Sequence, residues 1–289
     1  MAKIAIMGFG TVGSGVLEVC RRNAASIARR AGEPVEVKYI LDVRDFSGSP
    51  DAALFTKSID TILNDPEIKV VVETIGGTKF AYPYVRRCLE SGRSVCTSNK
   101  EMVATYGAEL LALAKGHGCA FLFEASVGGG TPIITPMHQC LAANVITEVE
   151  GIVNGTTNYM LSKMANEHLD YDEVLKEAQA KGYAESDPTA DVGGLDAARK
   201  IVILASIAFN TRFNLDDVQV EGIESIEACD IKYATDLGYA VKLLAIAKND
   251  PENGVSLRVN PTMIPLSHPL AGVNGVYNAV FVNGDAIGE

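Results

Sequence analysis

The feature that most constrains this chain lies in its first thirteen residues, where the apolar run Lys3-Ile4-Ala5-Ile6-Met7 passes directly into Gly8-Phe9-Gly10-Thr11-Val12-Gly13. The next stretch is helix-like and rich in small and apolar residues. Three glycines at this spacing leave few options. The first permits a tight turn, the second lets backbone approach a bulky anion, and the third lets the new helix sit close to its strand. Free N–H groups at the positive end of that helix can receive phosphate. Taken alone the spacing also suits a plain glycine-rich turn, so the rhythm of the remaining first half decides between the two.

That rhythm is a regular alternation. Lys3 to Met7 reads as a strand, Gly13 to Arg30 as a helix, Val35 to Val43 as a strand and Ile59 to Leu63 as a short helix. Ile68 to Glu73, Ser94 to Thr97 and Ala120 to Glu124 read as further strands, with helices at Phe80 to Glu90 and Met102 to Lys115 between them. Crossovers of this length predict a Rossmann-type doubly wound parallel sheet, an α/β fold with helices on both faces. The second half has another rhythm. A helix runs through Leu141, a strand spans Ile146 to Val153, helices span Thr157 to Glu167 and Tyr171 to Lys181, and a polar loop leads to a helix from Leu195 to Phe209. Strands at Ala240 to Lys248, Val255 to Val259 and Tyr277 to Val282 complete an expected α+β layer. The pattern predicts a nucleotide-binding domain over 1–135 and a catalytic, substrate-binding and dimerisation domain over 136–289.

Composition narrows the function classes. At 289 residues the chain is long enough for about two domains of roughly 150 residues. A formal net charge of −11 disfavours a broad nucleic-acid surface while leaving room for a local anion pocket. The longest apolar run, Ile201 to Phe209, falls short of the roughly 18 residues that cross a bilayer, so no membrane partner is expected. Met1-Ala2-Lys3 leads straight into the first strand without a charged leader, which predicts a cytoplasmic protein. The six cysteines form no CxxC pair and read as reduced packing residues. Four histidines without an HExxH run give no support to a zinc centre. Gly284-Asp285-Ala286-Ile287-Gly288-Glu289 comes after an apolar run without a capping helix and reads as an interrupted element.

Candidate site residues gather at the strand ends and in one loop. Asp42 or Asp45, after the second strand, suits an adenosine ribose, whereas Arg44 between them suits a 2′-phosphate, so NAD and NADP both stay open. Thr74 ends the third strand and Lys100 lies just past the fourth, at the edge where such sheets bind ligands. Glu185, Asp187, Asp191 and Asp196 cluster with Arg199 and Lys200 just before the apolar run at 201–209. Asp196 and Lys200 are spaced i,i+4 and share a helix face. That spacing is common on solvated surfaces, but the buried continuation places this pair near the mouth of a core. Carbonyl reduction by a nicotinamide needs hydride delivered to carbon and a proton or charge stabilisation at oxygen. Lys200 suits the oxygen, Asp196 orients its ammonium, Glu185 suits a substrate amino group, and Lys100 suits an alkoxide or a carboxylate.

With these residues in place the chain resembles homoserine dehydrogenase along essentially its whole length. The resemblance rests on Gly8-x-Gly10-x-x-Gly13, Thr97-Ser98-Asn99-Lys100, the run Glu124-Ala125-Ser126-Val127-Gly128-Gly129-Gly130-Thr131-Pro132, the run Gly151-Ile152-Val153-Asn154-Gly155-Thr156-Thr157-Asn158-Tyr159, and the block Gly182 to Lys200. It implies reversible interconversion of L-aspartate 4-semialdehyde and L-homoserine with NAD(P)H, in threonine and methionine biosynthesis with isoleucine downstream. It further implies Lys200 as acid/base, Asp196 and Lys100 beside it in catalysis, and Glu185, Tyr183, Thr156 and Asp191 around the substrate. Gly8, Phe9, Gly10, Thr11, Val12, Gly13, Asp42, Arg44, Thr74 and Lys100 would hold the nucleotide. Glu124, Val127, Gly129 and Thr131 match a monovalent cation site, such as one for sodium, made mainly of backbone carbonyls. A homodimer through the second domain is implied as well. The family pattern continues past Glu289 with a further strand and helix, and many relatives carry a C-terminal regulatory domain.

Two rivals remain. A phosphorylating semialdehyde dehydrogenase needs a thiolate and a base, but His138 and Cys140 are only i,i+2 and Cys96 has no base beside it in sequence. A nucleotide-binding regulatory protein without turnover would not need Lys100, Glu185, Asp196 and Lys200 together.

Overall fold

The structure, a computed structural model, describes residues 1–286 and 288. The chain divides into two compact units, Met1–Ser126 and Val127–Glu289, a division that falls upstream of the 135/136 position expected from pattern.

The first unit holds strands β1 (Ala2–Met7), β2 (Val35–Leu41), β3 (Phe55–Thr56), β4 (Ile68–Glu73), β5 (Ser94–Thr97) and β6 (Phe121–Leu122). Its helices are α1 (Thr11–Arg22), α2 (Ala24–Ala31), α3 (Ile59–Leu63), α4 (Ala81–Glu90) and α5 (Lys100–Gly116). The strands pair in parallel in the order β3-β2-β1-β4-β5-β6, the doubly wound order whose crevice lies at the carboxyl ends of the strands. β1 is central, and Ala5, Ile6 and Met7 are wholly buried, which is why that strand reads as an unbroken apolar run. Ile4 and Ile6 pack with Leu17 of α1 and with Val37 and Ile40 of β2. The helix expected over 13–30 is two helices, broken at Asn23, whose φ of −105° and ψ of 17° leave the helical region.

The second unit holds β7 (Ile146–Ile152), β8 (Val218–Val220), β9 (Tyr239–Asp250), β10 (Gly254–Pro265) and β11 (Ala279–Gly284). Its helices are α6 (Gly155–Glu167), α7 (Tyr171–Ala180), α8 (Thr189–Val192), α9 (Leu195–Ala208) and α10 (Ala228–Asp236). The sheet is mixed, in the order β11-β7-β9-β10-β8, antiparallel throughout except for the parallel pair β10 and β8. Ile201 to Ala205 of α9 are buried, as the apolar run requires, and the helix packs on β7, β9 and β10. Where a helix through Leu141 was expected, only a π-helical turn at Pro136–Cys140 forms. Among the described residues no helix is long and apolar enough to cross a membrane.

Candidate active site

Each unit carries its own constellation. In the first, the glycines do what their spacing requires. Gly8 adopts φ +92°, and a Cβ there would lie 2.8 Å from the Thr74 carbonyl carbon. A Cβ on Gly13 would come within 2.0 Å of the Gly8 oxygen, so only glycine fits. Gly10, in contrast, opens onto space with nothing within 4 Å of a built Cβ. Gly10, Thr11 and Val12 are exposed, and α1 starts with no acidic residue in its first turn. The turn therefore presents unopposed N–H groups at the positive end of a twelve-residue helix, a cradle that fits a dinucleotide pyrophosphate. Thr74 staples it from just past the end of β4, its Oγ1 donating to Met7 O at 3.1 Å and to Gly8 O at 2.9 Å.

Asp42 and Arg44, read from sequence as alternatives for the ribose edge, are partners. Asp42 Oδ2 accepts from Phe9 N at 2.8 Å and from Arg44 Nη2 at 2.8 Å, while Oδ1 accepts from Arg44 N at 2.9 Å and Nε at 3.0 Å. The Arg44 guanidinium, helped by the two backbone donors, holds the Asp42 carboxyl down to about 2 against the cost of its burial. The carboxylate is buried and the guanidinium exposed, lying over the Phe46 ring. Asp45 turns away to accept from Ser47 N and Oγ. Lys100 is the first residue of α5, half-buried, and comes directly after Asn99, whose side chain caps the helix by accepting from Met102 N at 3.1 Å.

The second constellation is built on α9 and the turn after β7. Lys200 Nζ lies 2.8 Å from Asp196 Oδ2 and donates to Val153 O at 2.6 Å. Their side chains are 12% and 5% exposed, so the i,i+4 pair is buried rather than a solvated one. An ammonium has three donors and these partners use two, which leaves one N–H for a substrate oxygen. Asn154 ties the group together. Its Nδ2 donates to Asp191 Oδ1 at 2.8 Å and to Asp196 Oδ2 at 2.9 Å, while its Oδ1 caps α6 by accepting from Thr157 N at 2.9 Å. In the sequence Asn154 stands within a motif without a role of its own. The helix-capping pattern Asn-Gly-Thr-Thr was the available signal, but nothing in it pointed to Asp191 or Asp196.

Thr156 Oγ1 donates to Tyr183 O at 2.6 Å, so the Asn-Gly-Thr turn is tied to the polar loop. The Tyr183 ring stands edge-on to Tyr159, with centroids 4.9 Å apart. Glu185 is exposed, held by its backbone oxygen to Gln179. Asp187 caps the next turn instead, accepting from Thr189. In the expected cation segment, Glu124 belongs to a 3-10 turn closing the first unit. In the second unit Val127 is buried, and a Cβ on Gly128 would sit 2.5 Å from Thr131 O, which marks a tight carbonyl-rich turn. Among the described residues no three His, Cys, Asp or Glu side chains group to hold a metal.

Five of the six thiols, Cys96 among them, do not suit the thiol rival. Cys20, Cys88, Cys96, Cys119 and Cys229 are all pushed up, burial being the leading cause in each, with Cys88 at about 12. None is poised as a thiolate.

Backbone shaped to fit a phosphate and a lysine paired with a buried carboxylate both suit nicotinamide chemistry, and the chain is an NAD(P)-dependent oxidoreductase. Comparison with known proteins gives the particular family. The family model for the homoserine dehydrogenase NAD binding domain matches residues 8–124, and the family model for homoserine dehydrogenase matches residues 132–289. The homoserine dehydrogenase of Bacillus subtilis is 44% identical over 291 residues, covering 99% of this chain and 67% of its own length. The crystal structure of the Thiobacillus denitrificans homoserine dehydrogenase superposes with a TM-score of 0.93 at 45% identity, covering 99% of this chain and 67% of that one. A hyperthermophilic archaeal homoserine dehydrogenase in complex with NADPH superposes with a TM-score of 0.83 at 28% identity, covering 100% of this chain and 89% of that one. The chain belongs to the homoserine dehydrogenase family. It spans about two thirds of the length of the bacterial relatives.

Proposed function

We propose that this chain reduces L-aspartate 4-semialdehyde reversibly to L-homoserine, and that the buried Asp196–Lys200 pair with one N–H to spare carries the reaction. A bound nicotinamide supplies the hydride or accepts it. Lys200 Nζ donates to the substrate carbonyl oxygen as negative charge develops there, and takes the proton back from the alcohol in the reverse direction. Asp196 Oδ2 and Val153 O hold the ammonium in one orientation, and Asn154 fixes Asp196. Glu185 captures the substrate amino group from its exposed position, with Asp191, Thr156 and Tyr183 shaping the same side. Lys100 offsets charge on the substrate.

Backbone N–H groups of Gly10 to Val12 hold the pyrophosphate, with Gly8, Phe9, Gly13 and Thr74 keeping the cradle in shape. Both NAD and NADP bind, Arg44 favouring the 2′-phosphate. A monovalent cation such as sodium sits on the carbonyls of Val127, Gly129 and Thr131. The chain acts as a cytoplasmic homodimer.

The test is oxidation of NADH and of NADPH by wild type and Lys200→Ala with aspartate semialdehyde. Turnover by wild type is expected, falling roughly 10²-fold or more in the variant at nearly unchanged nucleotide affinity. Nucleotide binding without turnover in wild type would overturn the reading in favour of a regulatory protein. Equal turnover in the two proteins would remove Lys200 from the chemistry.

A further inference from the structure

Glu73 ends β4 and is wholly buried, a rare position for a carboxylate. Among the described residues no lysine, arginine or histidine stands within ion-pair distance of it. Its oxygens are instead filled by neutral donors from two turns. Oε1 accepts from Ile75 N at 2.7 Å and Gly76 N at 3.2 Å, and Oε2 accepts from Thr97 Oγ1 at 2.5 Å. Thr97 Oγ1 in turn accepts from Asn99 N at 2.9 Å, and Asn99 Nδ2 donates to Gly77 O at 2.6 Å. The hydrogen bonds therefore close a ring that starts at Glu73, crosses to the end of β5, and returns to the turn after β4. That turn is held in an unusual shape, with Gly76 at φ +80° and Gly77 at φ +64°. Asn99 also caps α5, so the ring ends on the residue before Lys100.

We infer that Glu73 is a positioning residue for the reaction, its carboxylate locking the Thr74–Gly77 turn and the first turn of α5 into one piece that sets where Lys100 stands. The inference rests on the role proposed above for Lys100 and on these turns forming the nucleotide edge of the sheet. Only an acceptor-only group suits the ring. A glutamine amide in the same volume would present N–H groups to Thr97 Oγ1, which already accepts from Asn99 N, and the threonine hydrogen would lose its acceptor. A buried polar group deprived of its partner either distorts the turn or leaves it mobile.

Four variants test this. Thr97→Val keeps the volume of the side chain and removes both hydrogen bonds of its hydroxyl, the one given to Glu73 and the one accepted from Asn99 N, and it should lower kcat about tenfold or more with the nucleotide KM nearly unchanged. Thr97→Ser, which restores the hydroxyl, should recover kcat. Glu73→Gln disturbs both turns, so it should raise the NADPH dissociation constant, read by nucleotide fluorescence, as well as lower kcat. It should also speed hydrogen exchange at the amides of Ile75, Gly76 and Asn99. A folded Glu73→Gln with wild-type affinity, kcat and amide protection overturns the inference. So does a Thr97→Val that loses thermal stability yet keeps full kcat, and that outcome decides the matter even if Glu73→Gln fails to fold. Lys100→Ala separates the two layers. Full turnover there would remove the role of Lys100, while NADPH affinity and amide protection in Glu73→Gln still decide whether the carboxylate holds the turns.

Discussion

At the scale of single residues, charge placement makes the proposed ligand roles measurable at two side chains. Glu185 is exposed and makes no ion pair among the described residues, so its charge is available to an ammonium. Glu185→Gln removes the charge at constant size. It should weaken homoserine binding by roughly 1.5 to 3 kcal/mol, measured calorimetrically with oxidised nucleotide present, and leave NADPH binding alone. Unchanged homoserine affinity would rule this role out. Arg44 is different, because Asp42 already engages it from two directions. A 2′-phosphate must share the guanidinium with that carboxylate, so Arg44→Ala should raise the dissociation constant for NADP and leave that for NAD nearly unchanged. Parallel losses for both nucleotides would show that Arg44 only braces the Phe9–Asp42 turn. Spacing made Asp196 and Lys200 legible as a pair, since four residues along a helix restore the same face. It could not reveal Asn154, whose contacts to Asp191 and Asp196 bridge separations of 37 and 42 residues. Nor could it show that Asp42 and Arg44, two residues apart in a turn, hold each other.

At the scale of elements, the long periodic ones were legible and the short or polar ones were not. β1, β4, α4, α5 and α9 fall within a residue or two of their expected limits, because each buries a continuous or strictly periodic apolar face. β8 has three residues, too few for a period, and α10 buries only Ile231 and Ala234, so neither announces itself. β9 shows how an element can carry a cost for its contacts. Lys242 is 3% exposed and meets oxygens alone, donating to Val273 O at 2.6 Å, Asn274 Oδ1 at 3.0 Å and Asn158 Oδ1 at 3.2 Å. Burial without a counter-charge pushes this lysine down to about 8. A lowered lysine value means that the unfolded chain binds the proton more tightly. The fold therefore bears the cost in full below about pH 8 and sheds it as pH rises toward the ordinary value of 10.5. Against Lys242→Met, which does not titrate, wild type should gain stability on the order of 2 kcal/mol across that range. Parallel denaturation midpoints for the two proteins from pH 7 to about pH 10.5 would show that Lys242 titrates normally.

At the scale of the whole molecule, the sheet of the second unit bears on assembly. Residues paired across strands share a face. The pairs Glu150 with Phe281, Glu150 with Ile246, Glu148 with Lys248, Ile246 with Arg258 and Arg258 with Gln219 therefore define one surface. The opposite face of β7 and β9 carries Val149, Ala245 and Ala247, all wholly buried. On the first face Ile246 and Phe281 pack into a cluster with Leu270 and Ala271 of the same chain, and the part left open carries both signs of charge. Glu148 and Lys248 stand 3.8 Å apart and partly exposed, Arg258 and Gln219 are exposed, and burial already pushes Glu150 up. A two-fold axis that sets Glu148 and Glu150 of one copy against Arg258 of the other makes the reciprocal contact at the same time, because an isologous interface pairs the same patch with itself. We expect light scattering to give twice the mass of one chain across a wide concentration range. Arg258→Glu leaves one copy's carboxylates facing a third negative group, so it should yield a monomer with unchanged circular dichroism. Raising the salt should weaken the wild-type pair as it screens these charges. A wild-type protein that stays monomeric would defeat the dimer, and an Arg258→Glu protein that stays dimeric would place the interface on another surface.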